Sequence, residues 1–326
     1  MNILVMGGTK FVSKSIAKYF SDEGYKVYTL NRGNSSDHKN TLKADRHIEK
    51  NMKKVLDNKK FDYVIDVNAY TQNDVEILYN YLDKSKLKKY IFISSSAVYT
   101  ENNKLPIKES ATKGFNSQWK DYGINKLEAE EFLFSKYKTD KYPVVILRPP
   151  YLYGPMNNLY RESYIFDCLL NCDPILVPSD GQTKIQFLHI DDLCAQIKEI
   201  IINDEIIGIA FNVGNKEYIT FEKWIEKCFE ATNLKTKILY ANQYNINENS
   251  RAYFPFRDYE YYLDTSLIEN IYIVKKDLVV GLKESFEYYK KFAEVDKKEN
   301  FQEYIRKLLW LNSLYKLTVL IIMIIV

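Results

Sequence analysis

Ser95, Tyr122 and Lys126 are the residues of this chain whose types and spacing could do chemistry together. Tyr122 and Lys126 are four positions apart, so on a helix they share a face one turn apart. A cation near a phenol favours its ionised form, so such a pair could accept a proton from a substrate hydroxyl near neutral pH while a serine hydroxyl holds the same oxygen. A bound nicotinamide would add to that positive charge and take the hydride from the carbon bearing the hydroxyl. The spacing alone selects nothing. With 28 tyrosines in a lysine-rich chain, roughly three Y-x-x-x-K pairs arise by chance, and three occur, the others being Tyr137/Lys141 and Tyr272/Lys276. Tyr122 differs in what precedes it: the apolar run Lys89 to Ser94 ends in Ser94-Ser95-Ser96, and the span to Tyr122 is long enough for a loop back over a sheet.

The elements that must position these groups are legible from hydrophobic period. Asn2 to Met6 is a buried strand that meets Gly7-Gly8-Thr9 and passes directly into a helix with Phe11, Val12, Ile16, Ala17 and Phe20 on its apolar side. Glycines let a pyrophosphate approach the backbone, and a helix opening there presents unpaired N–H groups and the positive end of its dipole. Of the G-x-x-G-x-x-G fingerprint only Gly7 is in place, because Lys10 and Ser13 hold the other two positions. Lys26 to Leu30, Phe61 to Val67, Lys89 to Ser94 and Tyr142 to Leu147 follow as strands. Helical patterns lie over Thr71 to Leu87 and Tyr122 to Tyr137. This alternation argues for βαβ units and a parallel sheet. After Arg148-Pro149-Pro150 it breaks down, which marks the start of a second lobe. Ile185 to His189 and Ala210 to Val213 are expected to return to the sheet, and Phe221 to Thr232 is a helix of the lobe.

At the end of the second strand, Asn31 stands where an acid would bind a ribose 2′-hydroxyl, and Arg32 follows it, a pattern that leans toward NADP over NAD. Lys+Arg 46 against Asp+Glu 43 gives a net charge of only +3 with no basic stripe, so nucleic acid is not the expected partner. Cys168, Cys172, Cys194 and Cys228 form no C-x-x-C pair, which fits a reducing cytoplasm, and Cys168 and Cys172 read as core residues on one helix face. The three histidines, His38, His47 and His189, are too scattered to suggest a metal site. No basic, apolar leader opens the chain. Residues 308–326 are apolar but broken by Asn312, Ser313, Lys316 and Thr318, so they read as a packed or dimer-burying tail rather than a membrane anchor.

GGTKFVS at the start, ISSSAVY at 93–99, YGINK at 122–126, RPPYLYGP at 148–155 and QFLHIDDL at 186–193, in this order and spacing, resemble the extended short-chain dehydrogenase/reductases. These form the NAD-dependent epimerase/dehydratase family, which includes UDP-glucose 4-epimerases. The resemblance implies a Rossmann-type, doubly wound α/β sheet with a smaller C-terminal α/β substrate lobe. It assigns residues 1–154 to the dinucleotide domain, with 183–214 returning to it. The lobe would take 155–182 and 215–290, and 291–326 would be a tail.

The same resemblance implies Ser95, Tyr122 and Lys126 as the catalytic trio of an enzyme that epimerises a nucleotide sugar through a keto intermediate. A reductase or a non-catalytic dinucleotide- or RNA-binding protein is the alternative. It implies a cofactor site of Gly7, Gly8, Thr9, Lys10, Phe11, Val12, Asn31, Arg32, Asp45, Arg46 and Asn68 together with Tyr122 and Lys126. Lys10 would bring a charge to the phosphates. Substrate contacts would come from Ser96, Tyr151, Arg161, Lys184 and Gln186, and the class commonly forms homodimers through the helix bearing Tyr122. Three departures qualify the substrate. Ser96 and Ala97 stand where 4,6-dehydratases carry Asp-Glu; Tyr151 replaces an asparagine of the galactose epimerases; and GGT-basic-F resembles a branch similar to chloroplast stem-loop RNA-binding proteins.

Overall fold

Asn2–Met6 (β1) sends alternate side chains to opposite faces. Ile3 and Val5 pack with Ile16 and Phe20, while Leu4 and Met6 pack with Met52, Val75 and Leu78. A strand apolar on both sides belongs in a parallel sheet covered on both faces. The computed structural model, which describes residues 1–33, 38–293, 295–297 and 300–311, has that architecture. After β1 come Phe11–Asp22 (α1), Lys26–Asn31 (β2), Thr41–Lys43 (β3), Glu49–Leu56 (α2), Tyr63–Asp66 (β4), Gln72–Tyr81 (α3), Lys89–Ile93 (β5), Asp121–Asp140 (α4) and Val144–Arg148 (β6). Tyr151–Tyr153 (β7), Glu162–Asn171 (α5), Ile175–Val177 (β8), Lys184–His189 (β9), Ile190–Ile202 (α6) and Ile209–Asn212 (β10) lead into the second half. There Tyr218–Thr220 (β11), Phe221–Thr232 (α7), Ile238–Tyr240 (β12), Ser266–Glu269 (α8) and Leu278–Phe292 (α9) follow, with a helix over 301–311 beyond them.

The large sheet has the order β10-β6-β5-β4-β1-β2-β3, and every pairing is parallel. The chain winds outward from β1 to β3 and then restarts at β4 on the other side. A crevice therefore opens beyond the carboxyl ends of β1 and β4, the position where such sheets bind ligands. A second apolar core lies in the lobe, where Tyr164, Ile165 and Leu169 of α5 meet Phe221, Trp224 and Ile225 of α7 together with Phe254, Phe256, Leu282, Phe301 and Ile305.

Three expectations change. The helix expected over 71–87 is α3 and stops at Tyr81, because Asp83 accepts the Ser85 N–H in a local turn that competes with the helix. The strand expected to return at 185–189 is β9, which pairs with β7 and β11 in a separate three-stranded sheet; only β10 rejoins the large one. Cys168 is buried, but Cys172 is exposed, since it lies just past the end of α5 in a left-handed conformation and no longer shares the helix face. The apolar tail from 312 to 326 lies outside the described residues. Among the described residues, no helix is long and apolar enough to cross a membrane.

Candidate active site

The glycine turn after β1 exists because both residues take backbone angles that disfavour side chains: Gly7 has φ +111° and Gly8 φ +95°. Asn31 stiffens this turn. Its amide donates to the Gly7 carbonyl at 3.0 Å and accepts the Gly33 N–H at 2.8 Å. The helix that follows has no side-chain cap and no acid in its first turn, which leaves its N–H groups for an anion. Gly7, Thr9, Lys10, Asn31, Arg32, Asp45 and Asn68 border a cleft of about 380 Å³. Tyr70 lines both this space and a second one, of about 420 Å³.

Two cofactor candidates are committed elsewhere. Lys10 was expected to face the phosphates, but its ammonium pairs with Asp296 at 2.8 Å, a residue 286 positions later that only the folded chain brings near. Arg46 is buried beneath the cleft. It makes paired hydrogen bonds of 2.9 Å to Asp66, donates to the Asn68 side chain at 2.5 Å and to the Asp74 carbonyl at 2.8 Å. Arg46 also borders this cleft, holds Asn68 in place, and keeps the Asp66 carboxyl below its usual range despite full burial.

Ser95, Tyr122 and Lys126, the trio expected to be catalytic, converge in the second cleft, which Phe11 and Val12 from α1 also line. Gly123 makes the convergence possible: a Cβ there would overlap the Ala97 carbonyl, so only glycine lets α4 lie against the turn that follows Ser95. Ser95 accepts the Ala97 N–H at 3.2 Å, and its hydroxyl favours the ionised form of Tyr122. Lys126 is 2 % exposed and donates to the carbonyls of Ala69 at 2.7 Å and Ile93 at 2.9 Å. Burial with no carboxylate in contact lowers its pKa to about 8.

Lys126 was expected to lower the pKa of Tyr122. In this geometry, desolvation raises the phenol's pKa instead, and the influences that oppose the rise are the Ser95 hydrogen bond and the guanidinium of Arg161. The ammonium is turned into the two carbonyls, and this is why its charge does not lead.

Ser96, Tyr151 and Arg161 line the same cleft, with Arg161 4.8 Å over the Tyr151 ring. Lys184 and Gln186 do not line it. Lys184 lies 3.8 Å from Glu260 in an exposed pair. Gln186 is fully buried, donates to the carbonyls of Asn215 and Leu263 and accepts the Leu263 N–H, so its amide ties strands together.

Residues 3–214 match the model of the NAD dependent epimerase/dehydratase family. The chain belongs to that family. The expectation of a nicotinamide-dependent enzyme on a Rossmann-like sheet therefore stands. Among curated relatives, the chain is 29 % identical over 304 residues to a chloroplast stem-loop binding protein of 41 kDa from Arabidopsis thaliana, a match covering 87 % of this chain and 78 % of that one. It is also 26 % identical over 257 residues to a dTDP-D-glucose 4,6-dehydratase of Dictyostelium discoideum, covering 65 % and 58 %. Among solved structures, a UDP-glucose 4-epimerase from Thermotoga maritima superposes with a TM-score of 0.77 at 21 % identity, over 90 % of this chain and all of that one. A dTDP-glucose 4,6-dehydratase from Bacillus anthracis superposes at 0.72 and 20 % identity, over 90 % and 98 %.

Within this family member, several cleft residues carried no sequence signal. Tyr70, Trp119, Arg257 and Tyr261 line the cleft that holds Ser95, Tyr122 and Lys126 but come from loops distant in sequence, with no motif to join them. His189, Asp191 and Glu284 also converge, their ligand atoms within 4.8 Å, which the scatter of histidines gave no reason to expect. The Lys276 ammonium sits among them, 3.1 Å from Asp191 and 2.9 Å from Glu284, in the place a cation would take.

Proposed function

We propose that this protein is an epimerase of a nucleotide sugar, working through a transient keto intermediate with Tyr122 as the acid–base group. The observation that carries this reading is the meeting of Ser95, Tyr122 and Lys126 in a cleft that shares Tyr70 with the space beside the glycine turn. Two features support the fit of a dinucleotide: the uncapped start of α1 and the one N–H that Lys126 retains after serving two carbonyls. When bound, the nicotinamide supplies reversible hydride transfer. Tyr122 takes the proton from the sugar hydroxyl and later returns it, while Ser95 holds the same oxygen. The raised pKa of Tyr122 makes it a reluctant base, and any positive charge added beside it favours the phenolate. Pro149, Pro150, Tyr151 and Trp119 wall the cleft. Ser96 and Ala97 are buried and carry no acid–base pair for dehydration. Relatives named for UDP-glucose and dTDP-glucose support the substrate class.

Arg32 borders the adenine-side cleft, and Asn31 puts no negative charge there; both support NADP as the preferred cofactor. Calorimetric titration tests this: Arg32→Ala should weaken NADP by about tenfold and leave NAD unchanged, and tighter NAD binding by the natural chain would refute it. For the reaction itself, Tyr122→Phe should lower kcat for isomerisation by roughly 10²–10⁴-fold. An unaltered rate would remove Tyr122 from its role, and steady accumulation of NAD(P)H would favour a net dehydrogenase. The similarity to a stem-loop binding protein favours a second reading, RNA binding, which gel-shift of stem-loop RNA together with no turnover of any nucleotide sugar would make the better one.

A further inference from the structure

Tyr70 lines both the space beside the glycine turn, about 380 Å³, and the cleft that holds Ser95, Tyr122 and Lys126, about 420 Å³; among the described residues no other borders the two. Its neighbours divide between them. Asn68 lines the first and Val67 the second, as Lys10 and Phe11 do where β1 turns into α1. We propose that the Tyr70 ring is a clasp for the nicotinamide dinucleotide, bearing on it between its adenosine end, beside Asn31 and Arg32, and its nicotinamide end, beside Tyr122, and so slowing its release. This rests on the epimerase reading, from which it takes the placement of the two ends, and extends it to how the cofactor is kept through a turnover.

Three observations carry the proposal. First, the segment under the ring is pinned at three successive residues. Arg46 donates to the Asn68 side chain at 2.5 Å, Lys126 donates to the Ala69 carbonyl at 2.7 Å, and the Tyr70 N–H donates to Asp74 at 2.8 Å. Asp74 is itself 1 % exposed, and its carbonyl accepts from Arg46. A ligand that meets the ring therefore orders only side-chain torsions, which keeps the entropic cost of the contact low. Second, the ring is left half covered. It is 58 % exposed, and among the described residues its hydroxyl makes no hydrogen bond. A tyrosine in this state offers a large apolar face and a polar tip, a combination that suits a ribose beside a phosphate. Third, the covered part of the ring meets the reacting groups. The Lys126 ammonium lies 5.4 Å from its centre and the Tyr122 ring 6.3 Å away, so the hold falls next to the atoms that exchange hydride and proton. In an epimerisation the cofactor accepts the hydride and gives it back within one turnover, so a reduced cofactor that left between the two steps would strand the keto intermediate.

Calorimetry on the full chain with NAD, NADP and AMP, beside stopped-flow release of the reduced cofactor, tests the clasp. For whichever dinucleotide the natural chain binds more tightly, Tyr70→Ala should weaken binding by about 10- to 100-fold, mostly through faster release. AMP fills only the first space, and its affinity should change by less than about threefold. Tyr70→Phe should bind the dinucleotide as the natural chain does, because the ring carries the contact. That rescue, with an unchanged melting midpoint of Tyr70→Ala in the absence of cofactor, separates the clasp from a loss of fold. Tyr70→Trp keeps a ring in place, and its added emission should respond more strongly to the saturating dinucleotide than to AMP. Equal dinucleotide affinity and release in Tyr70→Ala, or an equal loss for AMP, overturns the clasp and leaves the epimerase reading standing. A loss in Tyr70→Phe as large as in Tyr70→Ala overturns the role of the ring. The expected loss in Tyr70→Ala beside no isomerisation of any nucleotide sugar by the natural chain overturns only the epimerase reading. Failure of the natural chain to bind NAD or NADP overturns both.

Discussion

Replacing Glu130 by glutamine tests whether a buried charge pair holds the serine turn at the end of β5 in place. Glu130 is 1 % exposed and lies one helical turn beyond Lys126 on α4. Its carboxylate accepts from Arg148 Nη2 at 2.6 Å and Nε at 3.0 Å, and from the Ser94 hydroxyl at 2.6 Å. Arg148, 2 % exposed, also donates to the Tyr99 hydroxyl at 2.7 Å, which in turn donates to Asn212 at 2.7 Å. The network therefore ties α4 to the ends of β5, β6 and β10. Glutamine keeps the shape but removes the charge and points an N–H₂ at a guanidinium, leaving Arg148 buried with hydroxyl and carbonyl partners only. Breaking a buried pair from one side costs about 3–5 kcal/mol, a large share of the roughly 5–15 kcal/mol that typical proteins have.

Urea unfolding followed by circular dichroism should show that loss. The double change Glu130→Leu with Arg148→Met should cost less than Glu130→Gln alone, because no charge is left unpaired. Activity should fall with stability, since Ser94 adjoins Ser95. A cost below about 1 kcal/mol, the level of an exposed ion pair, would refute the reasoning.

Gly123→Ala should push α4 off the Ala97 carbonyl and separate Tyr122 from Ser95, lowering kcat by about 100-fold with a smaller effect on cofactor affinity; steady-state kinetics beside NAD titration checks it. Gly7→Ala, at φ +111° with its Cβ 2.8 Å from Ser13, should destabilise the chain by about 1–3 kcal/mol and abolish dinucleotide binding, read by thermal shift with and without cofactor. Lys126 has a folded pKa of about 8 against an ordinary 10.5, so between those values the unfolded chain binds more protons and stability rises with pH. The contribution is about 3 kcal/mol across that window, and the pH-dependent rise in unfolding free energy from urea titrations should shrink by that amount in Lys126→Met. An identical slope in the variant would show that the ammonium titrates normally.

Much of this molecule was legible in the residues themselves. The period of β1, the turn at Gly7 and Gly8 and the apolar face of α1 are local patterns, and they placed the first βαβ unit and its phosphate turn. Ser95, Tyr122 and Lys126 were separable from two chance Y-x-x-x-K pairs because a strand end preceded one of them. Gln186 failed as a substrate contact for a physical reason: an amide's availability depends on what else it meets, and Asn215 and Leu263 approach it only in the folded chain. The same holds for Lys10, whose charge is met by Asp296, and for Arg46, consumed by Asp66. Trp119 and Arg257 are the converse case, two residues with no motif that long-range packing brings to 4.3 Å. The sequence by itself determined the leading strand–helix alternation, the turn chemistry and the spacing of Ser95, Tyr122 and Lys126, because these follow from neighbours within a few residues. Tertiary structure alone decided which polar groups are already paired and which still face a ligand, because pairing and desolvation are set by partners from 20 to 286 positions away.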